Sequence, residues 1–265
     1  MEYHVSSLSI ALMGIGAAAG FIVPIGLVLL LRKKTGASVR SFFIGWLAFF
    51  LSVLVLERLF HSLVLKTPVG TAISGNLFSY ALYGGVTAGL FEELARYFAF
   101  KKFLVRELED DSNALMYGAG HGGCELFNIY SITMLNNIIL SLTLNSSGIS
   151  ALTQSLSSEQ ASQVIAQIPQ LCAFGPGTLA LGLLERASAM IVHISLSVLV
   201  FCAVKKPEQN RRLLLIAVEL HALTDFLAVI LSGLLPIWAA EAGIAAFALF
   251  VAWFARKVWK DNHQE

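Results

Sequence analysis

Long apolar runs constrain this chain more than any other feature of its sequence. Most of them reach or approach the roughly 20 residues that an α-helix needs to cross the hydrocarbon core of a bilayer. Only 13% of the 265 residues are charged, against about 25% in soluble domains, so the bilayer is the expected solvent. Because the runs are continuous and lack the alternation of barrel strands, they predict helices. The predicted spans are Leu8–Leu31, Ser41–Leu65, Asn76–Phe100, Asn113–Leu142, Gly177–Val204, Arg212–Leu235 and Ile237–Ala255.

These runs predict an all-α fold class, a polytopic membrane helical bundle with about seven transmembrane helices. Basic residues then predict its orientation, because lysine and arginine collect in cytoplasmic loops. They follow every second span, whereas Lys66 stands on the opposite side. We therefore predict an outside N-terminus, a cytoplasmic C-terminus and a location in a bacterial plasma membrane. The basic residues concerned are Arg32, Lys33, Lys34, Arg40, Lys101, Lys102, Arg106, Lys205, Lys206, Arg211, Arg212, Arg256, Lys257 and Lys260.

The domain organisation is predicted to be a single membrane-embedded domain over residues 1–265. Its catalytic-like core spans about residues 84–229, and an extracytoplasmic loop covers about residues 143–176. Within that loop, Ser155–Gln170 is compatible either with an amphipathic helix on the membrane surface or with a polar linker.

Ionisable residues inside the predicted spans indicate a functional or structural role, because a charged side chain at mid-bilayer costs about 3 kcal/mol or more. Counting the helical rise from the span ends places Glu92, His121, His193 and His221 roughly 12–17 Å below the cytoplasmic edge. These residues are far apart in sequence and converge on one depth. The convergence predicts a polar site in the cytoplasmic half of the bilayer.

Local spacing predicts which of these groups pair. Residues four apart share a helix face, so each such pair is expected to interact along its own helix. A carboxylate at this spacing from an imidazole can fix the tautomer of the ring. The pairs are Glu92–Arg96, His121–Glu125 and His221–Asp225.

Two further patterns accompany the polar layer. Glycines surround His121 and predict either close approach of a neighbouring backbone or a water-filled notch for substrate access. In the outer half, the neighbouring residues Glu57/Arg58 and Glu185/Arg186 are interpreted as structural ion pairs, whose charges neutralise one another between the second and fifth spans. The glycines are Gly118, Gly120, Gly122 and Gly123.

Three motifs, in order along the chain, resemble those of the CAAX-protease and bacteriocin-processing superfamily of intramembrane peptidases. Phe91–Arg96 is similar to the EExxR-type first motif, Tyr117–His121 to the second, and His221–Asp225 to the closing HxxxN/D motif. The string Gly120–Glu125 looks most like the YhfC-type branch, with PrsW-type proteases more distant. The CAAX proteases usually have EExxxR and often HxxxN, so their prenyl-peptide activity is not transferred.

The resemblance implies an intramembrane endopeptidase that hydrolyses peptide bonds of a membrane-associated protein or peptide. In such proteins a glutamate activates water and histidines assist. We interpret Glu92 as the base ahead of Glu93, because Glu92 shares a helix face with Arg96. The implied catalytic residues are Glu92, Glu93, Arg96, His121, Glu125, His193, His221 and Asp225.

The need for a metal stays open at this point. His121, His193, His221 and Glu92 would supply a zinc site with one open position. The chain has no HExxH helix, which favours a metal-free glutamate mechanism. The expected partners are the lipid bilayer and a membrane protein or peptide substrate, with no nucleic acid. The alternatives are a non-catalytic scaffold or chaperone subunit that retains the Glu/His network and, ranked last, a proton-coupled transporter.

Overall fold

A computed structural model describes residues 3–263, and this part of the chain is helical without a strand. The prediction of an all-α fold is confirmed. Short π-helical segments at Phe50–Glu57, Ala99–Phe103 and Leu126–Ser131 and a 3-10 turn at Arg106–Glu109 interrupt or extend the α-helices. The α-helices are α1 Ser7–Thr35, α2 Val39–Phe49, α3 Arg58–Val64, α4 Pro68–Ser74, α5 Leu77–Phe98, α6 Ser112–Glu125, α7 Ile132–Thr153, α8 Ser158–Cys172, α9 Pro176–Lys205, α10 Pro207–Asn210, α11 Arg212–Leu234 and α12 Ile237–His263.

Six helical stretches in the described part of the chain are long and apolar enough to cross a membrane. They match six of the predicted spans, so the polytopic helical membrane fold is confirmed. The other predicted span is the 22-residue helix α5, which has the length but carries Glu92, Glu93 and Arg96 near its end. Its crossing of the bilayer and the outside N-terminus stay predictions. The six stretches are Ser7–Thr35, Val39–Val64, Ser112–Thr153, Pro176–Lys205, Arg212–Leu234 and Ile237–Asn262.

The chain forms two compact units. The first unit comprises Met1–Val23 with Leu126–Leu183, and the second comprises Pro24–Glu125 with Leu184–Glu265. The single domain expected from the sequence therefore stays a prediction.

In the first unit, α7 extends to Thr153, into the predicted extracytoplasmic loop, and α8 covers most of the segment Ser155–Gln170 that was expected to be an amphipathic helix or a linker. The helical alternative is correct. A capping box between Ser157 and Gln160 satisfies backbone donors at its start. Its apolar face buries Ile168 and Leu171, whereas Ile165 stays exposed. The helix is thus amphipathic in the folded protein.

In the second unit, α5 and α11 lie in backbone contact because glycines leave no side chain between them. A Cβ at Gly85 would collide with the Ala222 carbonyl, and one at Gly89 would lie 2.7 Å from the Val218 carbonyl oxygen. Such small residues let helices pack closely in a membrane. The contact brings the end of α5, with Glu92 and Glu93, beside the middle of α11.

The glycines around His121 have the same effect on α6. A Cβ at Gly118 would lie 2.5 Å from the Ile194 Cα on α9, and one at Gly120 would collide with the Phe42 backbone on α2. A Cβ at Gly123 would lie 3.0 Å from the Cβ of Pro24. Of the two predictions for these glycines, close backbone approach is correct and the open notch is wrong, because neighbouring helices fill the space.

Candidate active site

The second unit brings all eight predicted site residues together from four helices. They form one connected network of hydrogen bonds and ion pairs, most of it out of contact with solvent. Glu92, Glu93 and Arg96 come from α5, His121 and Glu125 from α6, His193 from α9, and His221 and Asp225 from α11.

The Glu92 carboxylate lies at the centre of the network. Its Oε2 is 2.8 Å from Nε2 of His121 and 3.9 Å from Nδ1 of His193. Its Oε1 is 3.7 Å from Nε2 of His221. Glu92 itself is 5% exposed. Three imidazoles from three different helices therefore face one buried carboxylate.

Glu93 has a different set of partners. It accepts hydrogen bonds from Arg96 Nε at 2.9 Å and Nη2 at 3.2 Å, and it bonds Nδ1 of His221 at 2.7 Å. The predicted Glu92–Arg96 pair is therefore wrong. The guanidinium forms a two-pronged bond with Glu93, one position nearer along the helix, and Glu92 is left to bond His121.

His193 is held from behind by Glu125. Nε2 of His193 bonds the Glu125 carboxylate, which also accepts a hydrogen bond from Arg186 Nη1 at 2.7 Å. The predicted His121–Glu125 pair along α6 is thus wrong. A charge-assisted bond to Arg186 is stronger than a bond to a neutral imidazole, so Glu125 turns toward α9.

Nδ1 of His193 faces Glu92 but also has a cationic neighbour. Nη2 of Arg96 lies 3.4 Å from it, while Nη1 of Arg96 donates to the His193 carbonyl and to the Ser197 hydroxyl. Arg96 thus ties α5 to α9. Ser197 was not recognised in the sequence, although its spacing of four residues after His193 places it on the same helix face.

The His121 ring is oriented by packing against aromatic rings, because its second nitrogen makes no hydrogen bond to the described residues. Its Nδ1 is buried without a hydrogen-bond partner in the described part of the chain. Phe49 packs edge-on with ring centroids 5.2 Å apart, and Tyr117 stacks on the ring at 5.9 Å. Nε2 is thereby directed at Glu92.

His221 is held by Glu93 and not by Asp225 as predicted. The Asp225 carboxylate is 3.8 Å from Nε2 of His221, beyond a hydrogen bond, and its side chain is 40% exposed. The close contact between α5 and α11 places Glu93 nearer to the ring than the residue one turn along α11. Asp225 lines a cavity of about 120 Å³ within the site, which Glu125, His193 and His221 also line, and a larger one of about 370 Å³ beside it.

The two outer pairs are also built differently from the prediction. Glu57 bonds Nε2 of His61 at 3.2 Å, and Arg58 is exposed on the helix surface. Arg186 bonds Glu185 but also reaches Glu125 in the site. Arg186 precedes His193 by about two helical turns and so shares its face, which is the signal that the sequence interpretation overlooked.

A group of side chains that could hold a metal ion lies at the centre of the site, within the described residues. One oxygen of Glu92 and one ring nitrogen each of His121 and His193 lie within 4.8 Å of one another. Three protein ligands and an open position are typical of catalytic zinc, and a carboxylate behind a histidine ligand is its usual support, as Glu125 provides for His193. The donor set therefore fits zinc. His221, the remaining predicted ligand, lies outside this group.

Comparisons with known proteins agree with the sequence motifs. A family model described as "YhfC intramembrane metalloprotease" matches residues 19–257. The chain is 35% identical over 260 residues to a Bacillus subtilis (strain 168) protein described as "Uncharacterized membrane protein YhfC", covering 95% of this chain and 97% of that relative. No solved structure matches.

Proposed function

This chain belongs to the YhfC intramembrane metalloprotease family, and we propose that it hydrolyses a peptide bond of a membrane-associated protein or peptide in a bacterial plasma membrane. The observation that carries the proposal is the convergence of three imidazoles on the buried Glu92 carboxylate. Burying several ionisable side chains within a membrane costs free energy, so their presence together indicates a function.

Glu92, His121 and His193 are the proposed metal-binding residues. They would hold a divalent metal ion, which would supply Lewis-acid polarisation of the scissile carbonyl and of the attacking water. Glu125 accepts a hydrogen bond from Nε2–H of His193, which leaves Nδ1 as the nitrogen with a lone pair facing Glu92. Arg186 in turn holds Glu125. The family description favours this metal-dependent mechanism over the metal-free one that the lack of an HExxH motif suggested.

His221 is the proposed proton-transfer residue. When its Nδ1 donates to Glu93, its Nε2 carries the lone pair and faces both Glu92 and Asp225. This nitrogen accepts the proton of the attacking water and returns it to the leaving amine. The exposed carboxylate of Asp225 stands at the cavities and stabilises the protonated ring. The Glu93–Arg96 ion pair positions both His221 and His193.

The experiment that tests this function counts the new protein N-termini that peptide-bond cleavage produces. It compares membranes that contain the wild-type protein with membranes that contain Glu92→Gln. We expect at least about a hundredfold fewer new termini with Glu92→Gln, and a similar loss with a membrane-permeant chelator that zinc reverses. Glu208→Gln, an exposed substitution outside the spans, is the matched control. Elemental analysis of the purified proteins measures zinc directly.

Equal numbers of new termini with wild type and Glu92→Gln would contradict the site. A zinc-loaded, folded wild type that produces none would contradict hydrolysis and favour the scaffold alternative. Full activity in purified protein that contains no metal would contradict the metal-dependent mechanism.

A further inference from the structure

None of the proposed metal-binding residues lines the larger of the two cavities that Asp225 borders. Its volume is about 370 Å³, within the range of small-ligand pockets. The π-helical segment before α3, α3 itself, α5 and α11 form its walls. Most of its lining is aliphatic or aromatic, including Leu65, Tyr80 and Val229. Asp225 lines this cavity and lies beside His221, so the cavity adjoins the proposed proton-transfer residue.

A buried carboxylate stands in this apolar wall. Glu57 is 5% exposed and bonds Nε2 of His61 at 3.2 Å. Nδ1 of the same ring lies 2.8 Å from the Tyr83 hydroxyl. With Tyr83 donating to Nδ1 and Nε2–H donating to Glu57, a neutral imidazole satisfies both contacts. In that neutral tautomer the ring carries no charge, so Glu57 has no cationic partner among the described residues that line the cavity.

The cavity lining carries an excess of negative charge. Two carboxylates, Glu57 and Asp225, line it, and none of the described residues that line it is a lysine or an arginine. Arg58 is next to Glu57 in sequence but is exposed and lies outside the lining. Burying a carboxylate costs free energy unless a cation pairs with it. The missing cation is thus expected from outside the chain.

The cavity has open space at Gly84, on its α5 wall. At Gly84, which lines the cavity, a Cβ would meet nothing within 4 Å, so the helix surface is open there. The next residue, Gly85, is in contrast packed against α11. Lysine and arginine carry an apolar stem that lies along an apolar wall while the charged end reaches a polar group.

We propose that this cavity binds a lysine or arginine side chain of the substrate, and that Glu57 selects it. The identification of the ligand as part of a substrate rests on the proposed function. The alkyl stem lies against Leu65 and Val229, and the charged end pairs with Glu57. Because Asp225 belongs to both the cavity and the site, the basic residue flanks the bond that is cleaved.

Binding of a designed peptide tests the proposal without requiring cleavage. The probe is a fluorescent leucine–alanine peptide of roughly 20 residues, long enough to span the bilayer, with one lysine, and the reference peptide has norleucine at that position. Both are titrated into lipid nanodiscs that hold the full chain as Glu92→Gln, so that neither peptide is hydrolysed. We expect the lysine peptide to bind at least about tenfold more tightly, a difference typical of one desolvated ion pair.

Three further substitutions in the same protein localise the effect. Glu57→Gln removes the preference for lysine. Gly84→Leu fills the cavity and weakens binding of both peptides. Gly26→Leu is the matched control, because Gly26 is exposed on α1 and its Cβ would also meet nothing within 4 Å. Retention of both peptides' binding in Gly26→Leu excludes a general effect of the larger side chain.

Equal binding of the two peptides to the parent protein would overturn the proposal, as would a lysine preference that survives Glu57→Gln. Unchanged binding in Gly84→Leu would place the side chain elsewhere and overturn it as well. If the preference depends on Glu57 but wild-type protein cleaves neither peptide, the binding site is supported and the result counts against the proposed function.

Discussion

Two carboxylate–histidine clusters in the second unit differ in how they are built. In the central cluster, Glu92 bonds His121, which lies 29 residues away on another helix, and both side chains are almost fully buried. In the outer cluster, Glu57 bonds His61, four residues away along continuous helical chain, and the His61 side chain is 31% exposed.

The difference shows what holds each geometry in place. The outer pair follows from helical periodicity alone and is weakened by exposure. The central pair depends on the packing of α5, α6, α9 and α11, and each imidazole has a ring contact or a second carboxylate that restricts it. We therefore expect substitutions in the central network to affect stability or metal affinity strongly, and substitutions in the outer cluster to affect stability little.

The largest effect is expected for Arg96→Met. Removing the guanidinium leaves the fully buried Glu93 carboxylate without its cation, which costs about 3–5 kcal/mol in the free energy of unfolding. Thermal unfolding in detergent measures the change. Arg58→Met, on the exposed surface of α3, is the control and is expected to change the free energy by less than about 0.5 kcal/mol. Similar stabilities for the two variants would show that the central network does not hold the helices together.

A smaller effect, on metal affinity, is expected for Arg186→Gln. Without the cation, Glu125 holds His193 less firmly, and loss of such supporting contacts costs about 10- to 100-fold in metal affinity. Competition with a zinc-chelating dye measures the affinity. Glu185→Gln removes the other partner of Arg186 without touching Glu125 and should change the affinity less. Zinc affinity that is the same in Arg186→Gln and wild type would contradict the positioning role.

The smallest effect is expected for His61→Gln. With a neutral His61 whose side chain is 31% exposed, the contact with Glu57 is a hydrogen bond, and its loss costs about 0.5–1.5 kcal/mol in the free energy of unfolding. The free energy of unfolding, measured by thermal unfolding in detergent, should therefore fall by no more than this amount. Zinc affinity should stay at the wild-type value. A loss of stability as large as that of Arg96→Met would remove the distinction between the two clusters.

The sequence interpretation was correct about which residues meet and wrong about how they pair. The shared depth of Glu92, His121 and His193 followed from helical rise and the span ends. The pairings assumed that partners lie one turn apart on one helix, and Glu93, Glu125 and Arg186 instead bond across helices. A charged side chain in a dry interior takes the strongest available partner, and that partner is known only once the helices are packed.

The sequence by itself determined the helical membrane fold and the bounds of five of the seven predicted spans to within about four residues, whereas the fourth and seventh helical stretches continue well past their predicted ends, to Thr153 and His263. It also determined the set of ionisable residues that belong to one layer. These follow from continuous apolar length and from the cost of charge in a bilayer, which are local properties of the chain. Only the tertiary structure decided that Glu92 is the centre, that Glu93 holds His221, and that Arg186 supports the site. The glycine contacts of α5 with α11 and of α6 with α2 and α9 set the separations between helices, and hydrogen bonds depend on those separations to within a few tenths of an ångström.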